Sequence, residues 1–497
     1  MLIGLVGEEK IMCNQDKTPL LDAITEFIDT KPAYFRIPGH RLERGISKKW
    51  TDKVGKEIFA YDVTETPLTD DLHSPESAIM EAQKLLQELY QADKSFFLVN
   101  GTTCGNEAML LSAAFEGQEV MVARNAHKSA MMGMIISGAK PVYIMPEILD
   151  EWGLQGGIRP QQVRRTFEEH PHCKALFLVS PSYYGIVSDL QVIADICHEY
   201  GAMLLVDEAH GGHLYFHKEL PKGALEQGAD MCVQSMHKVT GALTQSSVLH
   251  LKSQIADIER VAANLHIVQS TSPNYLLMTS LDCARYELAM HGTEMMEQAL
   301  RLADYAREKI QGISGFRCMG REVVGQAAIA GIDETRLVIS AKELGLTGFE
   351  LEEILYEKYA VNMELADCEN VLAIVTYANT QEEIERLIQA CDGIAREKTK
   401  KVETTCAQPA FPQLPEQVLT PRQAYFAASE EIAWQQAIGR ISAEMIAPYP
   451  PGIPIIYPGE RITQEVWNYL ETFRREKRHI HGSRDGKLEV IKVIKSE

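Results

Sequence analysis

The 497-residue chain has no CxxC pair, and its cysteines show no metal-ligand spacing. Its ten scattered cysteines therefore read as reduced thiols, and no metal site is expected. No apolar run approaches the ~20 residues that span a bilayer. The opening MLIGLVG lacks the basic flank and small-residue cleavage site of a secretion signal. Clustered lysine and arginine are missing too. The formal net charge is -20, which argues against a nucleic-acid partner and favours cationic small molecules. No GxGxxG follows a strand candidate, which disfavours a nicotinamide enzyme. Repeats and low-complexity tracts are absent. A cytoplasmic protein without a membrane segment is expected. Translation starts at Met1 or at Met12, where MCNQDKTPLLDAI reads as the lead into a first helix.

What is present is the pattern of an α/β protein. The length predicts roughly three domains. Short apolar runs at 95–100, 119–124, 140–146, 174–180, 202–209 and 229–235 alternate with amphipathic stretches such as 105–115 and 190–201. Strands apolar on both faces and separated by helices predict a largely parallel sheet covered on both sides. Four segments follow: an N-terminal segment at 1–75, a large domain at 76–315, a small α/β domain at 316–400 and a C-terminal domain at 401–497. The charged run 396–409 reads as a linker, and the prolines of 447–460 exclude a helix there.

Ligands of such sheets bind beyond the carboxyl ends of the strands, so the residues ending each run carry the functional reading. These are Asn100, Arg124, Ser180, Asp207 and Ser235. NGTTCGNEAML places Thr102, Thr103, Cys104 and Gly105 between a strand and a helix start, where free N–H groups suit a phosphate. VDEAHGG ends a strand on Asp207, a carboxylate costly to bury without a cationic partner. ARNAHKSA offers His127, and SMHKVTGALTQSS supplies Ser235, His237 and Lys238. A phosphate cradle, a flat ring, a buried acid and an amine on one sheet suit pyridoxal 5'-phosphate. Its phosphate needs the helix start, its aldehyde the lysine, its ring nitrogen the carboxylate.

Six motifs in the right order along the chain, TETPLTDDLHSPES, NGTTCGNEA, RNAHKS, DEAHG, SMHKVTGALTQSS and YPPGIPIIYPGE, together resemble the Orn/Lys/Arg decarboxylase family. The likeness covers nearly the whole chain and is greatest to the short bacterial biosynthetic arginine decarboxylases, which lack a wing domain. It implies the fold of type I pyridoxal-phosphate enzymes, similar to aspartate aminotransferase. It further implies decarboxylation of a basic L-amino acid: arginine first, giving agmatine for polyamine biosynthesis, with lysine or ornithine as alternatives. Carried onto this chain, Lys238 matches the Schiff-base lysine, Asp207 the partner of the ring nitrogen and His127 the histidine on the ring. Ser235 matches a phosphate contact, and His237 lies beside the reaction centre. Either Lys238 or His237 returns the proton to the α-carbon. Thr102, Thr103 and Cys104 match the phosphate loop, although Cys104 stands where Ser or Thr is more usual. His210 occupies a position near the ring. Thr271 matches a phosphate contact reaching the neighbouring subunit, so a homodimer, and possibly a larger assembly, is implied. Asp70, Asp71, Glu364, Asp367 and Glu460 are the acidic candidates for the substrate side chain. Another reaction on the same fold, or a pyridoxal-phosphate-binding protein without catalysis, remains open on the residues alone.

Overall fold

A computed structural model of the chain describes residues 14–398, 411–448, 454–475 and 480–495. Met1 and Met12 lie outside the described residues, as does most of the linker at 396–409.

The centre is a seven-stranded sheet of β1 (Lys94–Leu98), β2 (Glu119–Ala123), β3 (Lys140–Ile144), β4 (Ala175–Val179), β5 (Met203–Asp207), β6 (Met231–Gln234) and β7 (Ser247–Leu251). Its order is β1-β7-β6-β5-β4-β2-β3. Strands β2 to β6 pair in parallel, and β7 alone runs antiparallel to both of its neighbours. The six expected strands form within a residue or two of their expected ends. The seventh, QSSVLHL, was not expected. It follows the Lys238 motif directly, and Ser247 and His250 interrupt its apolar character.

The sheet is buried on both faces because successive residues of its strands feed two separate cores. Leu176, Leu178, Leu204 and Val206 join one core, and Ala175, Phe177 and Leu205 join the other. That doubly covered arrangement is why these strands read as continuous apolar runs rather than alternating ones.

Helix α1 (Gly101–Ala113) follows β1, and α2 (Lys128–Ser137) follows β2. Helix α1 begins four residues earlier than its apolar periodicity suggests. The threonines and Cys104 are therefore its first turn, not a loop before it. The 37-residue helix α3 (Tyr275–Gln311) is about 55 Å long at 1.5 Å per residue. It runs from the large core, where Tyr275, Met278 and Leu281 are buried, to a second core that contains Leu302, Ala306 and Ile310.

That second core covers an antiparallel sheet of β8 (Arg317–Cys318), β9 (Arg336–Ser340), β10 (Leu365–Ala366) and β11 (Asn370–Ile374), in the order β8-β9-β11-β10. A third core gathers around Trp434, Ile456 and Leu470 in the C-terminal part. The described residues of 447–460 contain no helix, as the prolines require.

Candidate active site

The carboxyl ends of the parallel strands open onto one cavity of ≈ 320 Å³. Helix α1 presents its first turn to it. Gly101 takes a left-handed φ of +71°, a conformation glycine adopts without strain, and this turns the chain from β1 into the helix. No side chain caps the helix N-terminus, so its first N–H groups stay available to an anion. Thr102 Oγ1 lies within hydrogen-bonding distance of Ser235 Oγ and is 3.1 Å from Ser247 Oγ. These contacts tie the helix start to the end of β6 and the start of β7. Gly105 permits the close fit. A Cβ there would stand 2.6 Å from Val233 Cγ1 and 2.8 Å from Leu98 Cδ1.

Asp207 ends β5 and is 3% exposed. Asn106 of α1 donates through Nδ2 to Asp207 Oδ2 at 2.8 Å, and the same nitrogen is 2.8 Å from Ser129 Oγ. The Ala209 backbone N–H donates to Oδ1 at 3.1 Å. Among the described residues Asp207 has no ion pair. His127 caps α2: its Nδ1 accepts from the Ser129 N–H and is 2.9 Å from the Ser129 hydroxyl. Burial lowers the His127 pKa and the Lys238 charge pushes the same way, while Asp207 opposes them. The imidazole is therefore favoured neutral.

Lys238 follows β6. Its Nζ donates to His210 Nε2 at 2.9 Å and lies 5.2 Å from the centre of the Tyr183 ring. Tyr183 and His210 pack with ring centres 4.1 Å apart. Burial pulls the Lys238 pKa below its ordinary value, with Asp207 and Glu364 resisting and Arg336 adding to the fall. This is the environment that frees an amine lone pair for attack on a carbonyl. His210 is held well below its usual pKa by burial and by the Lys238 and Arg336 charges, so it accepts from the lysine. His237 Nδ1 is 3.1 Å from the Ser246 carbonyl, and burial lowers its pKa as well.

The cavity thus brings together Thr102, Thr103, His127, Asp207, His210, Ser235, His237 and Lys238. Two candidates fall outside it. The Cys104 side chain turns back into the core beside α1, donating to the Gly101 carbonyl at 3.1 Å, and burial pushes its thiol up to about 12. Only its backbone N–H belongs to the first turn of α1, and its side chain, standing where Ser or Thr is more usual, does not line the cavity. Thr271 is exposed on the segment before α3, away from this cavity.

The acidic candidates separate cleanly. Asp70 accepts from the backbone N–H groups of Glu76, Ser77 and Ile79 and organises its own loop. Asp71 accepts from the His73 N–H. Glu460 pairs with Arg124 at 2.7 Å, both side chains at most 5% exposed, which also removes Arg124 from the strand-end candidates. Glu364 feels Lys238 and Arg336. Asp367 lines the cavity.

Asn106, Ser129, Tyr183 and Arg336 escaped the sequence reading. Asn106 had a usable signal, since an asparagine inside an apolar helix requires a partner. Tyr183 follows a strand end by three residues. Arg336 opens a strand of the small sheet, donating to the His210 carbonyl at 3.1 Å, and nothing local in the sequence connects the two.

The residues fit pyridoxal 5'-phosphate. A buried carboxylate without an ion pair among the described residues suits a protonated ring nitrogen, an uncapped helix start suits a phosphate, and a lysine whose pKa burial lowers suits the aldehyde.

Comparison with known proteins agrees. The Orn/Lys/Arg decarboxylase major-domain model matches residues 18–383, and the C-terminal-domain model of the same family matches 404–485. An arginine decarboxylase of Bacillus subtilis (strain 168) is 38% identical over 485 residues, covering 97% of this chain and 99% of the relative. The crystal structure of the Francisella novicida lysine decarboxylase LdcF superposes with a TM-score of 0.84 at 21% identity, covering 96% of this chain and 81% of that one. A serine palmitoyltransferase from Sphingomonas wittichii reaches a TM-score of 0.53 at 14% identity, covering 78% and 85%. The architecture is that of the fold-type I pyridoxal-phosphate enzymes.

Proposed function

The chain belongs to the Orn/Lys/Arg decarboxylase family, and on that premise we propose that it decarboxylates L-arginine to agmatine and CO₂. It is a carboxy-lyase that uses pyridoxal 5'-phosphate. Arginine is favoured because an arginine decarboxylase matches the full length at 38% identity, whereas the lysine decarboxylase stands at 21%. The observation that carries the reading is the single cavity that joins Lys238, the ion-pair-free Asp207 and the open start of α1.

Each residue has a role in this reading. Lys238 would hold the cofactor through its amine, at the aldehyde. The first turn of α1, with Thr102, Thr103 and Ser235, holds the phosphate. Asp207, positioned by Asn106, keeps the ring nitrogen protonated. His127 covers the ring. Bound in this way, the cofactor supplies an electron sink for the pair left behind as CO₂ departs. His210 accepts a hydrogen bond from the Lys238 amine. Lys238 or His237 delivers the proton to the α-carbon.

Thr271 reaches the phosphate of a second copy, which makes the working unit a homodimer, with larger assemblies built from dimers. The product feeds polyamine biosynthesis in the cytoplasm, without nucleic acid or membrane as a partner. Residues 76–315 form the cofactor domain, 316–400 the small domain and 401–497 the C-terminal domain, with 1–75 as an N-terminal segment.

A mass-spectrometric product screen of cofactor-loaded protein against arginine, lysine and ornithine tests the reaction. Agmatine is the expected product; cadaverine or putrescine in its place moves the substrate, and the absence of any amine rejects the activity. Borohydride treatment followed by peptide mapping tests the anchor, with the label expected on Lys238.

A further inference from the structure

Two carboxylates in the cavity lack a cation among the described residues. Asp207 is one, and the ring nitrogen accounts for it. Asp367 is the other. It sits in the tight turn between β10 and β11 and is 6% exposed. Nearby buried acids are already matched: Glu460 by Arg124 at 2.7 Å, Glu369 by Lys342 at 2.7 Å and Asp333 by Arg336 at 3.6 Å. Glu364 faces the charges of Lys238 and Arg336. Asp367 has only neutral donors. Oδ1 accepts from the Glu369 and Asn370 N–H groups, each at 2.8 Å, which closes the turn. Oδ2 accepts from the Tyr184 hydroxyl at 2.8 Å.

A buried anion in this state is costly, and a ligand cation offsets the cost. Around Asp367 the same cavity is lined by Tyr184, Phe349, Phe411, Tyr469 and Phe473. Tyr469 has ring centres 5.7 Å from Phe411 and 5.2 Å from Phe473. Ring faces attract cations, and a planar, weakly hydrated guanidinium stacks on them better than a compact ammonium does.

We propose that Asp367, Tyr184 and this aromatic wall form the seat of the substrate's guanidinium. The assignment rests on the decarboxylase reading and adds its specificity. Because the Asp367 oxygens already accept N–H and O–H donors, what the residue offers is charge. The direct contact falls to the Tyr184 oxygen, whose hydrogen points at Asp367 and whose lone pairs remain for a guanidinium N–H. The wall comes from the small domain through Phe349 and from the C-terminal domain through Phe411, Tyr469 and Phe473, so one end of the substrate tests parts of the chain far from Lys238.

Borohydride-reduced holoenzyme cannot turn over, and calorimetry on it reads binding alone. Arginine is compared with citrulline, its neutral isostere. Wild type is expected to prefer arginine by about tenfold or more, the size of one charge-assisted contact. Asp367→Asn keeps an acceptor for the turn and should bring the two ligands to within about threefold of each other. Tyr184→Phe leaves the turn untouched and should shrink the same ratio, while the yellow absorbance of the unreduced variant stays that of wild type. An arginine-to-citrulline ratio that neither variant changes, or a wild type that fails to discriminate, overturns the seat while agmatine formation leaves the decarboxylase reading standing. Absence of CO₂ release from any amino acid overturns that reading instead.

Discussion

Asp207 and Glu208 are consecutive and both buried, yet they face opposite sides of the strand end and meet different chemistry. Asp207 looks into the cavity. Its removal leaves a buried cation unpaired once the cofactor is bound, costing about 3–5 kcal/mol. Asp207→Ala should therefore lose about a hundredfold or more in kcat, and Asp207→Glu far less; steady-state CO₂ release measures both. Glu208 looks the other way. It accepts from the Gln234 amide at 2.8 Å, the Ala224 N–H at 2.7 Å and the Tyr215 hydroxyl at 2.9 Å. Burial raises its pKa from 4.5 to about 7. The folded chain thus keeps a proton that the unfolded chain releases. The stability this group contributes is complete below pH 4.5 and disappears as pH rises through about 7. Denaturation free energies of Glu208→Gln relative to wild type should shift in the variant's favour by about 3 kcal/mol between pH 4.5 and 8.

At the scale of elements, the start of α1 is held by a helix-to-sheet approach only glycine allows. Gly105→Ala pushes a methyl into Val233 and Leu98. The expected cost is about 1–3 kcal/mol, read as a lower melting temperature together with weaker cofactor retention on dialysis. Strand ends were legible in the sequence because a parallel sheet buries both faces of its strands and each apolar run then stops at a polar residue facing the cavity, as at Asp207 and Ser235. Helix α1 was misread at its start because Thr102 and Thr103 carry no apolar period. Strand β7 was missed because five residues after a glycine-broken loop resemble a continuation of it. The placement of Asp367 and Arg336 depends on a separate sheet packing against the large domain, which no local pattern encodes.

Across the whole molecule, a buried ion pair links the C-terminal part to the end of β2. Arg124 lies beside the stacked pair of Tyr143 and Tyr457, 4.8 and 4.1 Å from their ring centres, and its guanidinium makes a fork to both oxygens of Glu460. Glu460→Ala strands that guanidinium in the interior and should destabilise the chain by about 3–5 kcal/mol in chemical denaturation. Replacing Arg124 by Met together with Glu460 should recover a large part of the loss.

The sheet order has a consequence for biosynthesis. β1 lies at an edge of the sheet with β7 as its neighbouring strand, and Leu98 partners Ser247 across that ladder. On a ribosome, the first turn of α1, proposed to hold the phosphate, emerges long before the strand that fixes it. Nascent chains arrested short of residue 247 should then fail to retain pyridoxal phosphate, and retention should begin only once the seventh strand has cleared the exit tunnel.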